Sequence, residues 1–226
     1  MDALLRETVR ESFLAELADE ALMPLLVGAT RVDVPAGTRL CYPDPDAGPS
    51  IRLIARGLLR IAMHAPDGRA ITQRYLRRGE FGGIPIVFSG RHAPGQCHAL
   101  TDSTFYVMNT DAWRTTARQD ARVATLILEE VSRVLVDSVD HLVTEVLATT
   151  RQRLVRQLLD IAADNQNGQP LVAPVTQQEL AEGIGSAREV VARALRGLRD
   201  EQLVTTGRGG VVLLDPVRLQ SELLAI

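Results

Sequence analysis

The sequence predicts an α+β fold: an N-terminal antiparallel β-roll, one long helix and a C-terminal winged helix-turn-helix. Three observations predict it. Between Arg31 and Thr110 short β-type runs alternate with turn residues. Residues 120–148 hold neither Pro nor Gly and carry a helical apolar stripe. After Thr176 two short helical patterns meet at Gly185, ahead of a glycine-rich hairpin. At 226 residues, 46% of them hydrophobic, the chain can bury more than one core.

The segment before residue 27 reads as short amphipathic helix, broken near Pro24. The β-type runs are 31–34, 50–54, 58–63, 70–75 and 104–108, punctuated by Pro35-Ala36-Gly37, Pro66-Asp67-Gly68 and Gly79. Residues 42–50, with prolines at 43, 45 and 49, can only be a loop. Many short strands at this spacing form a roll or barrel. In the long helix Leu128, Val131, Leu135, Val139, Leu142 and Val146 recur at spacings of three and four, with acids and arginines to either side. Such a narrow stripe predicts a two-helix dimer seam. A further helix follows over 151–163, closed by the polar run 164–169.

Thr176 and Glu179 have the spacing of a capping box. Leu180 and Ile184 then face inward, Ala181 is small enough for a close helix crossing, and Gly185 supplies the left-handed turn. Ser186 can cap a second helix reaching about residue 200, with Val191, Ala194, Leu195 and Leu198 inward. The runs 203–206 and 211–214, joined by Gly207-Arg208-Gly209-Gly210, make a wing. The second helix of such a unit lies in the DNA major groove. Arg188, Glu189 and Arg193 sit in its first two turns, away from the apolar face. An arginine fork reads guanine O6 and N7, and a carboxylate accepts from cytosine N4. Arg196 and Arg199, further along, suit backbone phosphate, as does Arg208 at the wing tip. Thr176, Gln177 and Ser186, at the two helix starts, complete the expected DNA-binding set.

The net charge of −3 does not argue against a DNA partner, because affinity follows the placement of charge. All the basic residues are arginine, and four of them, Arg188, Arg193, Arg196 and Arg199, crowd into one short stretch. Aromatics at 4% are too few for a single-strand stacking platform. Two cysteines, Cys41 and Cys97, supply neither a CxxC pair nor a four-cysteine zinc or iron–sulfur site, and both are expected to be reduced. No leader pattern and no apolar run of the roughly 18 residues a membrane span needs is present, so a cytoplasmic protein without a membrane partner is expected. No GxSxG, P-loop or HExxH motif occurs, so neither catalytic nor metal-binding residues are expected. A small enzyme with an accessory interaction domain is the alternative reading.

The run from Thr176, Gln-Gln-Glu-Leu-Ala-Glu-Gly-Ile-Gly-Ser-Ala-Arg-Glu-Val-Val-Ala, to Arg193, followed by Ala-Leu-Arg-Gly-Leu, resembles the helix-turn-helix of the CRP/FNR superfamily of bacterial regulators. Gly37, Gly57, Asp67-Gly68 and Gly79-Glu80-Phe81-Gly82 resemble the turns of that family's cyclic-nucleotide-binding roll, and the likeness spans about residues 13–220. It implies a roll of the double-stranded β-helix type in a sensor domain over 1–119, a dimerisation helix over 120–148 and a DNA-binding domain over 149–226. It also implies a homodimer on pseudo-palindromic double-stranded DNA with GTGA-like half-sites, RNA polymerase as a partner, and Arg188, Glu189 and Arg193 as the base-reading set.

The resemblance locates an effector pocket at Gly82, Gly83, Ile84 and Arg91, with Ser138 and Leu142 facing it from the long helix. Here the chain departs from the family pattern. Cyclic-nucleotide binders carry Gly-Glu and, about ten residues on, Arg-Ser; in this chain Ile84 stands at the Glu and the Arg-Ser place falls near Ala93-Pro94, with Arg91 two residues away. A buried phosphate would lack its charge-assisted partner. Haem would need an axial ligand, for which His64, His92, His98, His141 or Cys97 is available. The effector, if one exists, stays open between a cyclic nucleotide, haem and an apolar small molecule. The expected outcome is that cyclic AMP does not raise operator affinity. Calorimetric titration with cyclic AMP and cyclic GMP checks this: saturable micromolar binding, lost on Arg91→Ala, would overturn it.

Overall fold

The computed structural model describes residues 2–42, 48–64, 70–91, 95–162 and 171–223. The predicted turn at Pro66-Asp67-Gly68 and most of the predicted 42–50 loop lie outside them. Contacts divide the chain into Met1–Ile61 with Leu76–Asp137, and Ala62–Tyr75 with Ser138–Ile226.

The chain starts with α1 (Ala3–Arg10), a 3-10 turn (Phe13–Glu16) and α2 (Asp19–Leu26). Asp2 caps α1 and Ser12 caps the 3-10 turn through their side chains. The expected break at Pro24 does not occur. Pro24 lies in the second half of α2, where it forfeits one amide bond, and the Met23 carbonyl still accepts the Val27 amide at 3.1 Å. The helix interruptions fall instead around Ser12 and Ala18.

Eight strands follow: β1 (Thr30–Val34), β2 (Arg39–Tyr42), β3 (Ile51–Arg56), β4 (Leu59–His64), β5 (Ala70–Leu76), β6 (Phe81–Gly82), β7 (Gly95–Ala99) and β8 (Ser103–Met108). Between β6 and β7 lies α3 (Ile84–Ser89). The strands form two four-stranded sheets, ordered β1-β8-β3-β6 and β2-β7-β4-β5. Ile54 and Phe105 of the first sheet meet Leu59, Ile61, Leu76 and Cys97 of the second. The other face of the first sheet, with Ile51, Leu53, Tyr106 and Met108, packs against Leu5, Leu14, Leu25 and Trp113. Both faces of β3 are therefore covered, so its sequence Ile-Arg-Leu-Ile-Ala-Arg lacks the clean alternation of a half-exposed strand.

Helices α4 (Thr110–Gln119) and α5 (Ala121–Leu147) close this unit. Asn109 caps α4 through its side chain, and Trp113 is fully buried with its indole Nε1 donating to the Leu25 carbonyl at 3.0 Å. Asp120 starts α5 by accepting the Arg122 amide at 2.9 Å. Val123 and Ile127 root the first half of α5 in the core around Trp113.

In the second unit α6 (Thr150–Ala162) packs against β9 (Leu171–Ala173), α7 (Gln177–Gly183), α8 (Arg188–Asp200) and α9 (Pro216–Leu223). Strands β10 (Val204–Gly207) and β11 (Gly210–Leu213) form the predicted hairpin, and β9 adds a third strand in the order β10-β11-β9. Arg151 of α6 bridges two carboxylates, Glu201 and Glu222, each at 2.7 Å, fastening the end of α8 and α9 to α6. These charges are half-exposed, so the bridge contributes modestly to stability.

A tighter constraint lies beneath it. Buried Gln157 of α6 donates from Nε2 to the Tyr75 hydroxyl at 2.7 Å, and a Cβ at Gly183 of α7 would stand 1.9 Å from that same nitrogen. Glycine is what lets α7 approach α6 here. Gly183→Ala is expected to destabilise the protein by about 1–3 kcal/mol through overpacking. Urea unfolding of this variant and of Gly183→Ala with Gln157→Ala would check it, the second change recovering part of the loss.

Candidate nucleic-acid interface

The capping box forms: the Glu179 amide donates to Thr176 Oγ1 at 3.2 Å, and the Thr176 amide donates to the Glu179 carboxylate at 2.7 Å. The Thr176 hydroxyl also donates to that carboxylate, at 2.9 Å. Thr176, one of the expected DNA-binding residues, is exposed and engaged in starting α7. Gln177 beside it is half-buried with its side chain uncommitted. Gly185, at φ +59°, turns the chain after α7. Arg153 of α6 secures that turn by donating from Nη1 to the Ile184 carbonyl at 3.2 Å.

Ser186 does not cap α8, contrary to expectation. The cap position is Ala187, with no side-chain bond, and the Ser186 amide donates back to the Ala181 carbonyl at 2.9 Å. The Val190 amide donates to the Ala187 carbonyl at 3.1 Å, and the Arg188 and Glu189 amides ahead of it are left to acceptors outside the helix, which suits an incoming phosphate.

Helix α8 buries Val191, Leu195 and Leu198 completely, with Ala194 half-buried beside them. Arg188, Glu189, Arg193 and Arg196 are exposed, and among the described residues none of the four makes a hydrogen bond or ion pair. The same is true of Arg208, which the Gly207–Gly210 pairing sets at the tip of the wing. Arg199 differs. Its Nη1 donates to Thr206 Oγ1 at 2.9 Å, tying the end of α8 to β10. That tether competes with the phosphate role expected of Arg199. Neither this tether nor the Arg153 bond to the turn follows a local spacing rule, so sequence reasoning missed both.

On α5, Leu128 (64% exposed), Leu135 (62%), Val139 (50%), Leu142 (63%) and Val146 (71%) stand open, and Val136, Val143 and Leu147 widen the stripe. Val131 departs from the expected seam, because it is partly buried against the core around Trp113. Leu142, expected both in the seam and at the effector pocket, is exposed.

The other expected effector residues have different surroundings. Gly82 packs its Cα against Leu76, and Gly83, at φ +94°, starts α3. Ile84 is buried in the core with Phe81 and Trp113, not between the sheets, so it does not line the interior of the roll. Arg91 is exposed, with its amide on Ser89 Oγ at 3.2 Å, and Ser138 is half-buried. Residues 92–94, with His92 and the Ala93-Pro94 position, lie outside the described residues, as does the His64 side chain. Between the sheets lies a cation that sequence reasoning missed. Arg52, buried and in register with Val107, holds its guanidinium 5.6 Å from the centre of the Phe105 ring and donates from Nε to Ser50 Oγ at 3.1 Å. Near it Cys97 is buried, which pushes the thiol up to about 11 and keeps it protonated at neutral pH. Among the described residues no three His, Cys, Asp or Glu side chains converge as a metal site.

Residues 152–222 match the Crp-like helix-turn-helix domain family, and residues 31–120 match the cyclic nucleotide-binding domain family. The chain is 29% identical to the transcriptional regulator LdrP of Thermus thermophilus over 75% of this chain and 85% of that protein. It is 24% identical to a CRP-like cAMP-activated global transcriptional regulator of Mycobacterium tuberculosis, over 83% and 85% of the two chains. The fold is similar to that of FixK2 from Bradyrhizobium japonicum, with a TM-score of 0.74, 20% identity and coverage of 86% and 97%.

The difference between Arg196 and Arg199 is measurable. Arg196→Ala should lower the slope of log K against log salt by about one per subunit, as loss of a phosphate contact does. Arg199→Ala should leave that slope unchanged. Fluorescence anisotropy on duplex DNA over a salt series reads both.

Proposed function

Since the chain belongs to the CRP/FNR superfamily and is a DNA-binding transcription regulator, we propose that it acts as a homodimer paired along α5, reading a pseudo-palindromic site with the exposed face of α8. The observation that carries this reading is the set of uncommitted groups Arg188, Glu189, Arg193 and Arg196 on one helix face, when other arginines of the same unit, Arg151, Arg153 and Arg199, are held by intramolecular partners. A solvated face laced with salt bridges would have paired them. Arg188 and Arg193 read guanines, Glu189 accepts from a cytosine, and Arg196 and Arg208 bind phosphates. The open amides at the start of α8 and the side chains of Gln177 and Ser186 add backbone contacts.

The open stripe on α5 supports the dimer. So many exposed leucines and valines on one helix would otherwise be an aggregation liability. Pairing two copies also sets two recognition helices against half-sites about one DNA turn apart. The regulator works in the cytoplasm with RNA polymerase, catalyses no reaction, and does not use cyclic AMP in the usual manner, because Ile84 replaces the ribose-gripping acid and sits in a different core.

Arg188→Ala or Arg193→Ala should each cost about 1–3 kcal/mol in specific binding with the fold intact. Footprinting with GTGA-type and scrambled half-sites decides the assignment: equal affinity for both would sink it. Leu142→Arg should yield monomers and lose operator binding together, as read by light scattering and gel shift.

A further inference from the structure

We propose that a cleft between α3, α4 and α5 is a socket for the second copy of this chain, in which Arg118 pairs with Glu129 of the partner subunit. The proposal rests on the dimeric reading and adds a contact outside the helix seam. The cleft, of about 440 Å³, is walled by Phe88, Ala117, Ala124 and Leu128, with Arg114 and Arg118 from α4. Arg114 is in use, donating from Nη2 to the Val87 carbonyl at 2.7 Å. Arg118 is exposed and, among the described residues, has no hydrogen bond or ion pair.

The phase of α5 says what fills the cleft. Leu128, Leu135 and Leu142 repeat at heptad spacing, and Val139 and Val146 take the alternate core position. Branched valine at a with leucine at d is the pattern of a parallel two-stranded pair. In that phase Glu129 occupies e and Ala124 occupies g. A parallel pair brings each g residue beside the e residue five places further along on the other helix. The partner's Glu129 thus arrives at Ala124, on the wall of the cleft. Alanine offers it no charge, and Arg118, lining the same cleft from α4, does. Glu129 is exposed and, among the described residues, without an ion pair, because Arg133, one turn further on, is taken by Glu130 at 2.8 Å and Asp137 at 3.3 Å. The small Ala117 and Ala124 leave the space that the incoming side chain needs.

Charge reversal tests this in the full-length protein by sedimentation equilibrium. Glu129→Arg and Arg118→Glu should each raise the dimer Kd about tenfold, since like charges would face each other in two symmetric contacts. The combined variant should return to within about twofold of the parent. Both residues are exposed, and thermal unfolding checks that each variant stays folded. Single reversals without effect, or losses that accumulate in the combined variant, would overturn the socket while a dimeric parent keeps the dimer reading. A parent that stays monomeric would overturn both.

Discussion

Helix α5 has to satisfy two apolar demands at once, and the rest of the molecule is arranged around that requirement. On one side Val123 and Ile127 are buried in the core that Trp113 organises. On the other, Leu128, Leu135, Leu142 and Val146 are largely bare. A helix in a monomer needs only the first face. The second makes sense when another helix lies against it, as in the proposed dimer.

The core that anchors α5 is itself a consequence of covering a β-sheet twice. The sheet β1-β8-β3-β6 buries one face against the second sheet and the other against α1, α2 and α4. Residues that look interchangeable in sequence therefore belong to different environments. Ile54 lies between the sheets, whereas Ile51 and Leu53 of the same strand face the helices. Ile84 falls on the helix side. Ile84, where the resemblance leads one to expect a ribose-gripping acid, is packing for that outer core. The polar content of the roll interior is supplied by Arg52, on a different strand.

The second unit divides its arginines between those tied within the protein and those left open. Arg151, Arg153 and Arg199 hold α9, the turn and the wing in place; Arg188, Arg193, Arg196 and Arg208 remain open. Fixing the support in this way lowers the cost of binding, because the helix and wing need not be ordered when DNA arrives. Each tether involves a partner distant in sequence or a backbone carbonyl, so an arginine count measures neither class.

The sequence by itself determined whatever depends on local rules. The capping box at Thr176 and Glu179, the left-handed Gly185, the uninterrupted α5 with its exposed stripe and the hairpin around Arg208 all follow from spacing within a few residues, where the chain's own geometry sets which groups meet. Tertiary structure decided the rest. Strands β2, β6, β7 and β9 are short and mixed in character, and they exist because a neighbouring strand completes their hydrogen bonds. Pro24 is tolerated because burial of Ala21, Leu25 and Leu26 holds α2 in place despite the one amide bond it forfeits. Val131 turned inward, Leu142 outward and Ile84 into the outer core because side-chain direction depends on which surfaces surround an element. The tether of Arg199 to Thr206, and the need for Gly183 beside Gln157, likewise rest on atoms brought together only by folding.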